Sequence, residues 1–219
     1  MTKRRYLLAL IAVAAVIALV AVMLATGRGA KESSLPAAGG RAMTVSLAGV
    51  TPYYLQNDPQ WGAETIGGSD EPMAGSGCTV ACVAMGLSAL GHQMDPSQVC
   101  AELKQQGGFT AQGLIIWSKV GGLTNGAVEV GVRRLSYEAI DAELTARRPV
   151  IAKIMLAETV PHWVLIVGKE GREYLALDPL NQQRKVIKVS SRSRGIYAIR
   201  VFRGRWSSAH TEAASAVPL

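Results

Sequence analysis

From Leu7 to Ala25 the chain runs for 19 residues, LLALIAVAAVIALVAVMLA, without one charged or polar side chain. At about 1.5 Å per residue such a helix spans roughly the 30 Å hydrocarbon core of a bilayer. It is longer than the apolar stretch of about 7–15 residues usual in a cleaved signal peptide, and the following TGRGAK offers no A-x-A-like site. Residues 1–26 therefore read as an uncleaved signal anchor, a single-pass membrane helix with basic residues ahead of it. That arrangement places the rest of the chain outside the cytoplasm, secreted if the segment is removed after all.

The residues flanking the apolar run account for most of the charge imbalance. The whole chain of 219 residues carries a formal charge of +7. Lys3, Arg4, Arg5, Arg28 and Lys31 supply five of its basic residues, and the remainder is nearly balanced. Small basic clusters such as Arg133-Arg134 and Arg147-Arg148 read as solvated surface. A nucleic-acid partner is not expected, because that would need a basic face on the folded part.

Residues 27–42, GRGAKESSLPAAGGRA, are small, polar and Gly/Pro-containing, and read as a tether. A folded domain is expected over 43–205 and a polar tail over 206–219. Within the domain, MTVSLAGV and PYYL look extended, and 57–77 is a long turn-rich loop of the kind that is usually functional or disordered. Thr79 to Leu90 has apolar residues at helical spacing and stops at Gly91. Further helices are expected from Asp95 to about Gln106, from about Gln112 to Lys119, and from a Ser136 cap to Arg147, with Val128 to Leu135 extended. Five Val/Ile-rich runs follow: PVIAKIML, HWVLIVGK, EYLALDP, RKVIKVS and GIYAIRVF. Helices first and strands second predict an α+β fold with an antiparallel sheet.

Three residues in this order could do chemistry together. Cys78 stands at the start of the first helix, facing the positive end of the peptide dipoles, an environment in which cysteines act as nucleophiles. His162 opens HWVLIVG and Asp178 closes EYLALDP. A turn at Gly168–Gly171 joining two antiparallel strands would bring both to one end of the sheet. An imidazole there can move a proton to and from the thiol, and a carboxylate can fix its ring plane and tautomer. Gln56, in LQNDPQW, is the candidate side-chain donor for an oxyanion.

The other candidates read as structural. Cys82, one turn beyond Cys78, fits the core, with redox coupling to Cys78 as its alternative role. In an antiparallel helix hairpin Cys82 would lie about 12 Å from the turn and Cys100 about 5 Å, a stagger that disfavours a disulfide. His92 and His210 fit solvated positions. Trp61 and Trp163 are core residues or cleft walls. Cys78, His162 and Asp178 lack the closely spaced ligand pair of a metal site, so neither metal nor organic cofactor is expected.

The segments LQNDPQW, SGCTVACVAMGLSALG, PVIAKI, PHWVLIVG and YLALDP together resemble the papain-like cysteine peptidases related to the double-glycine (bacteriocin) leader peptidases, over about residues 51–203. The resemblance implies a papain-like fold, with helices packed on a C-terminal antiparallel sheet. It also implies Cys78 as nucleophile, His162 as base, Asp178 as orienting acid and Gln56 as oxyanion glutamine. Thr79-Val80 follow the cysteine where such families often have Gly and Pro. The implied activity is cleavage of peptide or amide bonds in a peptide or protein substrate. A catalytically silent module binding a peptide or cell-wall ligand, and a transglutaminase-like acyl transferase, remain open at this stage.

Overall fold

The computed structural model describes residues 34–204. The expected membrane helix at Leu7–Ala25, the first part of the tether and the polar tail lie outside the described residues. Among the described residues no helix is long and apolar enough to cross a membrane.

One antiparallel sheet organises the domain. Its strands are β1 (Leu35–Pro36), β2 (Ala38–Ser46), β3 (Val128–Arg133), β4 (Val150–Leu156), β5 (Val160–Leu177), β6 (Ile187–Lys188) and β7 (Gly195–Gly204). The spatial order is β1-β7-β4-β5-β2, with β3 also paired to β7 and β6 to β5. Between β4 and β5 the register sets Ile154 against His162 and Val150 against Ile166. β4 is an interior strand with partners on both sides, and its first residues, Val150, Ile151 and Ala152, are buried on both faces, so the run does not alternate.

The helices are α1 (Met73–Ser76), α2 (Cys78–Ala89), α3 (Pro96–Gln105) and α4 (Tyr137–Thr145). The two caps have the expected chemistry. Asp95 accepts from the Gln98 backbone while the Gln98 side chain reaches back to Asp95 N, a full capping box, and Ser136 accepts from Ala139 N. α2 departs from its expected amphipathic character: every residue from Val80 to Ser88 is buried. A helix apolar all round belongs in the centre of a domain. α2 packs so closely on β7 that a Cβ at Gly86 would overlap the Phe202 ring.

Three expectations need correction. Strands do not all follow the helices, because β1 and β2 join the sheet from the N-terminal side. The tether expected over 27–42 accordingly gives way to strand at Leu35. The Gly-rich composition that reads as a linker is a packing requirement here, since a side chain at Gly39 would collide with the Tyr137 ring and Gly40 has φ +69°. The helix expected at Gln112–Lys119 is replaced by a turn and then a 3₁₀ segment, Trp117–Thr124. Gly113 at φ +76° breaks the α conformation, and the Thr110 hydroxyl accepts from Gln112 N and Leu114 N instead.

The two runs HWVLIVGK and EYLALDP form one element, β5. Its first part pairs with β4, its middle with β2 and its last residues with β6. Sixteen residues of straight strand would separate His162 from Asp178 by roughly 50 Å. Their side chains are hydrogen-bonded, so the chain doubles back within β5. Gly171, at φ +58° with open space around it, supplies the backbone freedom for the reversal.

The α2–β7 contact generates a stability prediction. Gly86→Ala should lower the urea midpoint despite the gain of about 1 kcal/mol in helix propensity, because overpacking a core typically costs about 1–3 kcal/mol. Gly75→Ala in α1, where a Cβ would meet nothing nearer than 4.0 Å, should not lower it.

Candidate active site

Cys78 is the first residue of α2, half-buried, with Gly77 as the preceding N-cap. The short α1 ends directly against it, and Gly77 N donates to Met73 O across the junction. A Cβ on residue 77 would overlap Met73, so this tight approach of two helical segments needs glycine there. The sharp junction leaves the Cys78 side chain on the wall of a cleft of about 370 Å³. His162 and Gln56 line the same cleft.

His162 is only 3% exposed. Its Nε2 lies 2.7 Å from Asp178 Oδ1, which leaves Nδ1 as the nitrogen available to the sulfur. Burial alone would lower the pKa of the ring. Hydrogen bonds to Asp178 and Cys78, together with their negative charge, reverse that effect and raise it to about 9. The imidazolium is therefore the form this pocket favours.

Asp178 is completely buried. Its Oδ1 accepts from His162 and, at 2.9 Å, from Leu180 N, and its Oδ2 accepts from Arg192 Nε at 2.8 Å. Burial pushes its pKa upward, but the hydrogen bond and charge of His162, the Leu180 amide and the Arg192 guanidinium outweigh burial and hold it below the ordinary carboxylate range. The backbone of the same residue is gripped by Tyr53, whose hydroxyl accepts from Asp178 N at 3.1 Å and donates to Asp178 O at 2.9 Å.

Gln56 is 1% exposed. Its backbone N donates to Pro179 O at 3.0 Å, which ties it to the turn that follows Asp178. Its Nε2 donates one proton to Ala74 O in α1 at 2.9 Å, so that carbonyl fixes the orientation of the amide. Among the described residues the second Nε2 proton has no partner of its own, and Oε1 is buried without one. The 57–77 loop, which separates Gln56 from Cys78 in sequence, is compact: Trp61, Ile66 and Met73 are buried, and Ala74 N donates to Gly62 O.

The structure thus brings Cys78, His162, Asp178 and Gln56 to one site. Arg192 and Tyr53 also belong to it, and sequence reasoning missed both. Arg192 lies in SSRSRG, which reads as a solvated charged turn, and Tyr53 in an ordinary extended run; neither carries a local signal. Cys82 is fully buried, its thiol pKa raised well above the usual value by burial, with the charges of Cys78 and Asp178 adding to the effect. Cys82 and Cys100 are both free thiols. A larger hollow of about 560 Å³, lined by Gly40, Tyr137 and Asp141 among others, has no cysteine or histidine in its lining.

Comparison with known proteins agrees with this architecture. The crystal structure of a protein from Bacillus anthracis described as a C39-like peptidase superposes with a TM-score of 0.51 at 14% identity, covering 75% of this chain and 100% of that one. At that identity the likeness establishes the fold alone. No curated protein matches the sequence. The sequence model of the peptidase C39 family matches residues 72–193, just over half of the chain and the stretch that holds Cys78, His162 and Asp178. The chain therefore belongs to the peptidase C39 family.

Proposed function

We propose that this protein is a cysteine peptidase that cleaves peptide or amide bonds through Cys78, His162 and Asp178, with Gln56 as an oxyanion donor. The observation that carries the reading is the shared cleft. A cysteine at the start of a helix, an imidazole backed at 2.7 Å by a buried carboxylate, and an amide with one uncommitted proton all meet around one cavity.

The steps follow from the chemistry of these groups. The Cys78 sulfur attacks the substrate carbonyl carbon, and the carbonyl π electrons move onto oxygen. Gln56 Nε2 and the Cys78 backbone N–H donate to that oxyanion. Collapse of the tetrahedral species breaks the C–N bond, and the His162 imidazolium gives its proton to the departing amine. Neutral His162 then takes a proton from water, whose oxygen attacks the thioester; the C–S bond breaks and the sulfur leaves. Throughout, Asp178 holds the ring by Nε2, and Arg192 prevents the carboxylate from rotating away. The sequence adds a location to this reading: residues 7–25 anchor the protein in the membrane, and the domain works outside the cytoplasm on a peptide or protein substrate.

Four outcomes are expected. Cys78→Ala should abolish turnover, and in the wild type iodoacetamide should label Cys78 faster than free cysteine near neutral pH; equal activity of the two proteins would remove the proposal. The alkaline limb of kcat/KM should fall near pH 9, the value for His162, because the acid that protonates the leaving amine is lost as pH rises through it. Asp178→Asn should move that limb down toward the ordinary 6.5 and lower the rate by about 10²- to 10⁴-fold. Gln56→Ala should lower kcat by about 10²- to 10³-fold while leaving the limb in place.

A further inference from the structure

The cleft has an uneven charge that the catalytic residues do not explain. Among the residues lining it, Glu71 is the one titratable group besides Cys78 and His162; there is no lysine, arginine or second carboxylate. Glu71 is exposed and, among the described residues, makes no ion pair. Its position is set by the backbone, because Ile66 N donates to Glu71 O at 3.0 Å and Thr65 bridges to Pro72, closing the loop on which it stands. Its Oε2 lies 4.0 Å from the point where a Cβ on Gly75 would stand, and Gly75 also lines the cleft. The carboxylate is therefore held at the rim, close to the helix junction that presents Cys78.

The rest of the wall sets polar groups, Ser69, Ser76, Thr79 and Gln112 among them, beside an apolar part that is unusually exposed. Leu114 and Val160, 65% and 54% exposed, are two of the four large hydrophobic residues left uncovered on the described surface, and both line this cleft. An uncovered aliphatic wall beside a lone carboxylate suits a group with an apolar stem and a cationic head. Lysine and arginine side chains lay their methylenes on apolar surface and keep the charge in water. An acidic substrate would meet repulsion from Glu71, and the cationic group among the lining residues, His162, is already held by Asp178.

We propose that Glu71 is a specificity-determining residue of the cleft, selecting peptides that carry a positive charge, a lysine or arginine side chain or a free α-amine, near the bond cleaved. The proposal rests on the peptidase reading for turnover, but recognition by Glu71 can be measured separately.

The test uses pooled peptide libraries that differ only in carrying lysine, norleucine or glutamate at the varied positions, each with a free or an acetylated N-terminus. For the wild type, lysine peptides should be cleaved with kcat/KM about five-fold above their norleucine partners, the scale of one partly exposed ion pair. The advantage should lie in KM and fade in molar salt. Glu71→Gln should bring the ratio close to one, and Glu71→Lys should turn the preference toward glutamate. Persistence of the advantage in acetylated lysine peptides assigns it to the side chain, and its loss on acetylation, whatever the side chain, assigns it to the α-amine. A wild type that does not discriminate, or a discrimination unchanged in Glu71→Gln, overturns the proposal. If nothing is cleaved, the peptidase reading falls, and capture of the same pools on Cys78→Ala protein still decides the role of Glu71. Enrichment of cationic peptides that the added Glu71→Gln change abolishes supports it, and no enrichment overturns it.

Discussion

A carboxylate sealed from water must be answered by protein groups, and in this domain that carboxylate is Asp178. Leaving such a charge unpaired would cost several kcal/mol, enough to neutralise the group or unfold the site. Three donors from three parts of the chain prevent this: the ring of His162 in β5, the amide of Leu180 just past it, and the guanidinium of Arg192 before β7. Tyr53 then clamps the Asp178 backbone from the segment that carries Gln56. The orientation of the imidazole and the placement of the glutamine are thus secured around one residue.

A second buried charge follows the same rule. Lys169, fully buried, is met by Asp141 Oδ1 at 2.6 Å, and Asp141 also accepts from Tyr174 at 2.8 Å and from Arg41 N at 2.8 Å. This network pins α4 and the bulged part of β2 to β5, at a distance from the chemistry. A buried pair of this kind is weak evidence for net stability, but removing either partner strands the other, so it fixes which surfaces meet. Gln56 Oε1 and Arg200 Nε are different, since among the described residues both are buried without a partner. The site retains a polar atom that the fold itself does not satisfy.

Much of the site was legible in the sequence because its members sit at ends of elements, where punctuation is visible. Cys78 follows a glycine and begins a helix, His162 opens an apolar run, and Asp178 precedes a proline. Gln56 was legible mainly through family likeness, and the compact 57–77 loop that returns it to Cys78 follows no periodic pattern. Arg192 could not be seen, because an arginine between serines has the local character of any exposed turn, and its role depends on a carboxylate in another element. The fold errors have the same origin. The glycines of β2 answer to Tyr137, a hundred residues later in the chain. Gly113 undoes a helix that the apolar pattern of LIIW otherwise suggests.

The reversal within β5 gives the machinery a particular economy of assembly. The His162–Asp178 pair is closed by one local fold of sixteen residues, and a short-range closure of this kind costs little loop entropy. The sulfur arrives from more than eighty residues upstream, on a helix that has to be buried on every side before it reaches its place. A partly unfolded chain can therefore hold the pair without Cys78 beside it, and under the proposed function the domain becomes competent only when its central helix is seated. Under that proposal, reactivity at Cys78 is a reporter of complete packing.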